Sequence, residues 1–336
     1  FMKKLFKEAL GVEINEKLPR LTYKEAMERY GSDKPDTRYG MEIFDLADEV
    51  RDCGFGVFSN AVKSGARVCG ITAKNAYSVL TRKELDKLTE FVKGIGAKGI
   101  AWIRYAEDGS VASSFAKFMS EEEMAAIAKK AGAEKGDVVL IIADKERITL
   151  PTLGALRQNI AKKLDIIPQD KYNLLWIVEF PFFDWDEELG QFVAMHHPFT
   201  APLEECLPYL ESDKANVRAT AYDLVLNGIE LASGSIRITD PELQKRIFEL
   251  LGLSDEEAYE KFGFLTDAFK YGAPPHGGIG IGLDRLCMQL LRLETLRDVV
   301  AYPKVQNASE PMTNCPALVD NDQLRELGIE TVTEEK

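Results

Sequence analysis

Two acids flank the Asn227-Gly228 dipeptide, and their spacing carries a chemical expectation. A two-residue type I′ hairpin needs positive φ at both central positions, which asparagine and glycine tolerate. If the dipeptide closes such a hairpin, Val225 lies opposite Glu230, and Asp223 sits two residues further along the same face. Asp223 and Glu230 are then diagonal neighbours, about 7–8 Å apart at the backbone, close enough to converge on one hard cation such as Mg²⁺. A solvated sheet face carrying two acids accounts for the same spacing.

Three further groups have types that could bind. In His276-Gly277-Gly278-Ile279-Gly280-Ile281-Gly282-Leu283-Asp284-Arg285, glycines alternate, so one strand face lacks side chains. A flat ring could lie on that bare backbone, with Arg285 at the following helix start to stack on it or meet phosphate; tight strand packing is the alternative. The run is neither a P-loop nor a GxGxxG fingerprint, because no GK[ST] is present and the glycine spacing differs. Arg237 alternates with apolar neighbours and points towards a polar interior site, where a carboxylate would match its planar fork; a structural salt bridge is the alternative. His196 and His197 are adjacent, so on a strand they face opposite ways, and one of them holding a substrate or a turn fits better than both on one ion.

These groups need a scaffold. From about Arg51 to Asp144 the pattern runs helix then strand, twice. Thr81 with Glu84 predicts a capping box ahead of Leu85, Leu88, Val92 and Ile95. Ser120 with Glu123 repeats it ahead of Met124 and Ile127, and Gly132 can end that helix. Strands are expected at Gly99 to Tyr105 and Val138 to Ala143. A helix near Thr152 to Leu164 is followed by apolar strands at Leu174 to Phe183, Gln191 to Met195, Ala221 to Leu226 and Ile229 to Leu231. These predict an antiparallel sheet. A last helix starts after Gly282 and buries Leu283, Leu286, Cys287, Leu290 and Leu291, and the tail from Glu310 reads mostly as loop.

With 336 residues and 45% hydrophobic content, the chain can bury a core of about two domains. No apolar run approaches the roughly 18 residues of a membrane span, and FMKKLFKEAL is too short and mixed for a secretory signal, so a cytoplasmic location is expected. Five scattered cysteines without a CxxC pair predict neither a zinc site nor a disulfide framework. The net charge of −13 gives no bulk attraction to nucleic acid, although one local basic face could still hold RNA. Phe1 ahead of Met2 reads as an artificial cut.

Taken together, these segments resemble bacterial-type aspartyl-tRNA synthetases over essentially the whole length. Arg29-Tyr30-Gly31-Ser32-Asp33-Lys34-Pro35-Asp36-Thr37-Arg38 is similar to that family's RYGSDKPDxR segment, and Met195-His196-His197-Pro198-Phe199-Thr200 to the hairpin before its active site. Gly282-Leu283-Asp284-Arg285 resembles class II motif 3, and Arg297 to Lys304 the ending of the catalytic domain. The resemblance implies an α+β fold with a class II antiparallel catalytic sheet and a smaller α+β insertion domain, of the kind shared with the amidotransferase B subunit. The implied division is 1–50 and 151–336 for the catalytic part and 51–150 for the insertion. It further implies aspartate activation by ATP with Mg²⁺, transfer to tRNA, and a homodimer. His196 and Arg237 would contact aspartate, Asp223 and Glu230 would hold ATP through Mg²⁺, and Gly282, Leu283, Asp284 and Arg285 would contact the nucleotide. Ala232 and Ser233 depart from the family's three glycines before the Ser-Ile-Arg segment. The anticodon-binding barrel, motif 1, a mobile aspartate-sensing loop and motif 2 would lie before residue 1. The 336 residues alone are therefore expected to be inactive, and a truncated paralogue that binds tRNA or a protein partner is the alternative.

Overall fold

A strand covered on both faces must bury nearly every residue, and 138–144 and 221–226, each buried at all but one position, are the central strands of two separate five-stranded sheets. The computed structural model describes residues 1–14 and 17–332. Along the chain, α1 (Met2–Leu10), β1 (Arg20–Thr22) and α2 (Tyr23–Tyr30) are followed by β2 (Phe44–Asp45), α3 (Ala47–Val50) and α4 (Gly56–Lys63). Next come β3 (Arg67–Ala73), α5 (Arg82–Ile95), β4 (Ala101–Tyr105), β5 (Val111–Ser113), α6 (Glu121–Ala131), β6 (Val138–Asp144) and the long α7 (Glu146–Lys163). The hairpins β8–β9 (Phe183–Asp186, Gln191–Ala194) and β10–β11 (Ala221–Leu226, Ile229–Ile236) follow β7 (Leu174–Val178); α8 (Pro241–Leu250), α9 (Asp255–Phe269) and β12 (Gly277–Ile281) complete the first unit, residues 1–281. Residues 282–336 are a second unit, with α10 (Leu283–Leu290), a 3₁₀ turn at Leu296–Asp298 and α11 (Asn321–Glu326).

The first sheet runs β1-β7-β10-β11-β12, antiparallel except for the β1–β7 pair. The second runs β2-β3-β6-β4-β5 and is antiparallel throughout. Alternation along β6 explains its layers. Val138, Leu140 and Ile142 join Leu85, Leu88 and Val92 of α5 and Leu150, Leu153, Leu156 and Ile160 of α7 in one core. Val139 and Ile141 face the opposite core, with Val50, Phe58 and Ile127 of α3, α4 and α6.

The cap at Ser120 forms as expected: its hydroxyl accepts from Glu123 N–H, Glu123 reaches back to Ser120 N–H, and Gly132 ends α6 in the left-handed region. The box at Thr81 does not. Thr81 makes no side-chain cap, the Glu84 carboxylate that would reach back to it is held by Lys87 and Lys163, and α5 is secured by its apolar face instead. Helix α7 starts at Glu146 and carries Pro151 inside it, six residues ahead of the expected start. Proline removes one helical hydrogen bond at a cost of about 3 kcal/mol; burying Leu150 and Leu153 on either side, at about 1.5–3 kcal/mol each, offsets it. The expected strand 174–183 is broken by Glu179 at φ 56 and by Pro181, while β11 runs five residues past Leu231. In α10 the buried residues are Leu286 and Met288; Leu283 and Leu291, at the helix ends, stay exposed. Among the described residues no helix is long and apolar enough to cross a membrane.

The second sheet's core extends beyond residues 51–150, taking β2 on one side and α7 on the other. Cutting at 150 removes Leu153, Leu156 and Ile160, a loss of roughly 6 kcal/mol against the 5–15 kcal/mol that holds a typical domain. A polypeptide of residues 22–165 should therefore give a dispersed two-dimensional amide spectrum, whereas 51–150 should give a collapsed one. Equal dispersion from both would show that α7 contributes little to this core.

Candidate functional site

The Asn227–Gly228 turn forms as its sequence requires, with φ of 51° and 85°, and Val225 pairs with Glu230. Beyond that pair the regular register ends. Leu231 is an extra residue, so Leu224 pairs with Ala232 and Asp223 with Ser233. Leu231 and Ala232 are both buried, the break in alternation that a β-bulge produces. Asp223 and Glu230 are thus not diagonal neighbours of a regular hairpin, yet they remain electrostatically coupled.

Asp223 is 6% exposed, and its Oδ1 has no hydrogen-bond partner. Desolvation pushes its carboxyl up to about 6; Ser233 lowers it, Glu230 and Asp33 raise it further, and Lys34 opposes them. A buried carboxylate oxygen without a partner beside two other acids is the environment a hard cation relieves. Among the described residues no three His, Cys, Asp or Glu side chains are grouped to hold a metal unaided. Two carboxylates suit Mg²⁺ when substrate phosphates supply further oxygens.

The two histidines lie past the end of β9 rather than on it, and they have different neighbours. His196 lies just past β9, its ring edge-on to Phe180 at 5.1 Å. Lost solvation on that inner side pulls its pKa down, while Glu230 and Asp33 pull it up, which places His196 beside the carboxylates. His197 turns to Arg237. Its Nδ1 lies 2.9 Å from Nη1 of Arg237 and accepts from Phe199 N–H at 3.2 Å, so the neutral tautomer with Nδ1 free to accept is the one that fits. Burial and the Arg237 charge both lower its pKa, favouring the same form. Arg237 itself is fixed by its backbone, which bridges Thr200 and donates to His276 C=O at 3.0 Å. Arg237 lines a largely apolar cavity of about 490 Å³ together with Phe199, Leu265, Phe269 and His276. One N–H group is engaged by His197, and the rest of its planar edge suits a carboxylate.

Glycines on β12 serve two purposes. A Cβ on Gly278 would meet nothing within 4 Å, and one on Gly280 only Ser233 O at 3.9 Å, so tight packing does not require glycine there and the strand face is bare. Across the pair, Gly234 is different: a Cβ would lie 2.0 Å from Gly278 O and 2.7 Å from the Tyr222 ring. Of the three positions 232–234, the chain keeps glycine where packing demands it. Gly282, Leu283, Asp284 and Arg285 belong to the second unit, with Gly282 as N-cap of α10 and the other three in its exposed first turn.

Sequence reading assigned no role to Asp33, Lys34, Ser233 or His197. Asp33 and Lys34 lie some 190 positions before Asp223, and no local pattern links them; only the conspicuous RYGSDKPDxR segment hinted at function.

A family model of the class II tRNA synthetases (D, K and N) matches residues 1–306. The aspartate–tRNA ligase of Ruminiclostridium cellulolyticum is 52% identical over 334 residues, covering 99% of this chain and 56% of that protein. The aspartate–tRNA ligase of Clostridium perfringens is 50% identical, with 99% and 56% covered. The aspartate–tRNA(Asp/Asn) ligase of Lachnoclostridium phytofermentans is 49% identical, with 98% and 55% covered. The chain spans about half the length of the curated relatives it matches.

Because the folded-state pKa of Asp223 is raised, the folded protein holds its proton more tightly than the unfolded chain does. The contribution of Asp223 to stability is then greatest below about pH 4, falls as pH rises through 4 to 6, and by pH 7 has lost about 2–3 kcal/mol. Asp223→Asn should remove that loss. In the absence of divalent cations its Tm should exceed the parent's at pH 7.5 and match it near pH 4; a lower Tm at pH 7.5 would mean that the carboxylate is already satisfied.

Proposed function

The chain belongs to the class II tRNA synthetases of the D, K and N group, and on that premise we propose that it is a portion of an aspartate–tRNA ligase, which activates aspartate with ATP and passes it to tRNA. The observation that carries this reading is the buried, unpartnered Oδ1 of Asp223 beside Glu230, on the sheet whose strand β11 leads directly into Arg237. In the first step a carboxylate oxygen of aspartate attacks the α-phosphorus in line, the bond from that phosphorus to the bridging oxygen breaks, and pyrophosphate leaves. A hydroxyl of the tRNA end then displaces AMP from the acyl carbon.

No protein nucleophile enters either step, so catalysis rests on placement and on neutralising phosphate charge. Arg237, oriented by neutral His197, takes a carboxylate of aspartate, and His196 lines the same substrate. Asp223 and Glu230 would hold Mg²⁺ where substrate phosphates supply its further oxygens. That cation, when bound, neutralises charge developing on the leaving group. The bare face of β12 receives a flat ring, and Gly282, Leu283, Asp284 and Arg285 contact the nucleotide. Residues 51–150 form the insertion domain, wrapped by β2 and α7.

In the whole protein, Asp223→Asn with Glu230→Gln should cut aspartate-dependent ATP–pyrophosphate exchange about a hundredfold or more and shift its Mg²⁺ titration to higher concentration. An unchanged titration would reduce the pair to a polar sheet face and favour a binding protein. Residues 1–336 alone should show no exchange above background, since positioning effects collapse when only some of the substrate contacts are present. Robust exchange that Arg285→Ala abolishes would overturn this.

A further inference from the structure

Arg157 touches none of the groups assigned above, yet it is 1% exposed and among the largest fully buried side chains. Its guanidinium carbon lies 4.8 Å from the Tyr30 ring centre and 4.3 Å from that of Tyr39. Its Nη2 donates to the carbonyls of Asp36 at 2.7 Å, Tyr39 at 3.0 Å and Gly40 at 3.0 Å, and its Nε to Met41 at 3.1 Å. Every one of these acceptors comes from the stretch 36–41. The cation is therefore fitted to one loop, and its planar fork makes contacts that lysine cannot reproduce.

One turn earlier on α7, Gly154 meets the other end of the same segment. A Cβ on Gly154 would lie 2.4 Å from Gly31 O, and a Cβ on Gly31 2.1 Å from Leu150 O. Between these two seats the segment carries Asp33 and Lys34 to within electrostatic reach of Asp223. It also abuts the catalytic-sheet hairpin: a Cβ on Gly228 would stand 3.2 Å from Asp36 Cβ. Asn173 links the two, donating its side-chain N–H to Thr37 Oγ1 at 3.3 Å and its backbone N–H to Asn227 Oδ1 at 2.9 Å.

We propose that Gly154 and Arg157 are positioning residues: α7 seats the 30–41 segment, the segment braces the Asn227–Gly228 turn, and the turn sets where Asp223 and Glu230 stand. The consequence for catalysis rests on the function proposed above; the brace itself does not. Helix α7 also supplies one wall of the second sheet's core, so the same helix serves that core and the carboxylate pair.

Amide hydrogen exchange on the chain as it exists tests the brace without any activity. Arg157→Met removes the carbonyl contacts at similar bulk. Gly154→Ala keeps Arg157 and places the better helix former on α7, but pushes Gly31 off its seat. In each variant, amides at 36–41 and at 223–230 should lose protection by about tenfold or more, while 138–144 keep theirs. Loss confined to 36–41, or spread evenly into 138–144, overturns the proposal. Should Arg157→Met fail to fold, Gly154→Ala alone decides on the same readout. In the whole protein, either variant should raise the Mg²⁺ needed for half-maximal pyrophosphate exchange by about tenfold, as a misplaced clamp does. A loosened hairpin with unaltered exchange supports the brace and overturns the assignment of Asp223 and Glu230 as cation ligands.

Discussion

A guanidinium sealed from water is tolerable only when its donors are met, because an unpaired buried charge costs several kcal/mol. At Arg157 the partners are backbone carbonyls and two aromatic faces, with no carboxylate in hydrogen-bond contact. Carbonyls cannot be moved one at a time, so satisfying the cation fixes the path of residues 36–41 as a unit. Around that fixed path the chain places an ion pair between Asp36 and Arg38, a contact from Arg38 to Pro168 C=O, and the turn of β10–β11. The loop would otherwise have little to hold it, since it contributes no strand to the first sheet.

The carboxylate site works in the opposite sense. Asp223 is buried beside other acids with one oxygen unmet, a local conflict that a domain retains where it serves function. Neighbouring packing sustains it: Ile177 and Val225 are fully buried next to Asp223 on the strands that hold it. The rigid loop and the strained pair thus belong together, one supplying the constraint that the other needs.

How far the sequence could be read depended on the range of the forces involved. Asn227-Gly228 and Ser120 with Glu123 were legible because φ preference and capping act within four residues. The same local logic misled at Thr81, where a lysine on α7, Lys163, competes for Glu84 from 79 positions away. It misled again at Pro151, where burial across the helix outweighs the lost hydrogen bond. The bulge at Leu231 has no local signature in the sequence. Asp33, Lys34 and His197 escaped for a related reason: their roles arise from what lies across space. The structure sets Asp223, Glu230 and His196 within electrostatic reach of one another and Arg237 beside His197, neighbours that no local pattern announces.

The single required glycine on β11 has a consequence for strand alignment. Gly234 sits where a Cβ would stand 2.0 Å from Gly278 O and 2.7 Å from the Tyr222 ring, and its two neighbours on β11, Ser233 and Ser235, both carry side chains. A slip by one residue would bring Ser233 or Ser235 to that place, drive its hydroxymethyl group into a backbone oxygen and reverse the faces of the strand. Gly234, flanked by serines, acts as a steric key, with one notch for one alignment.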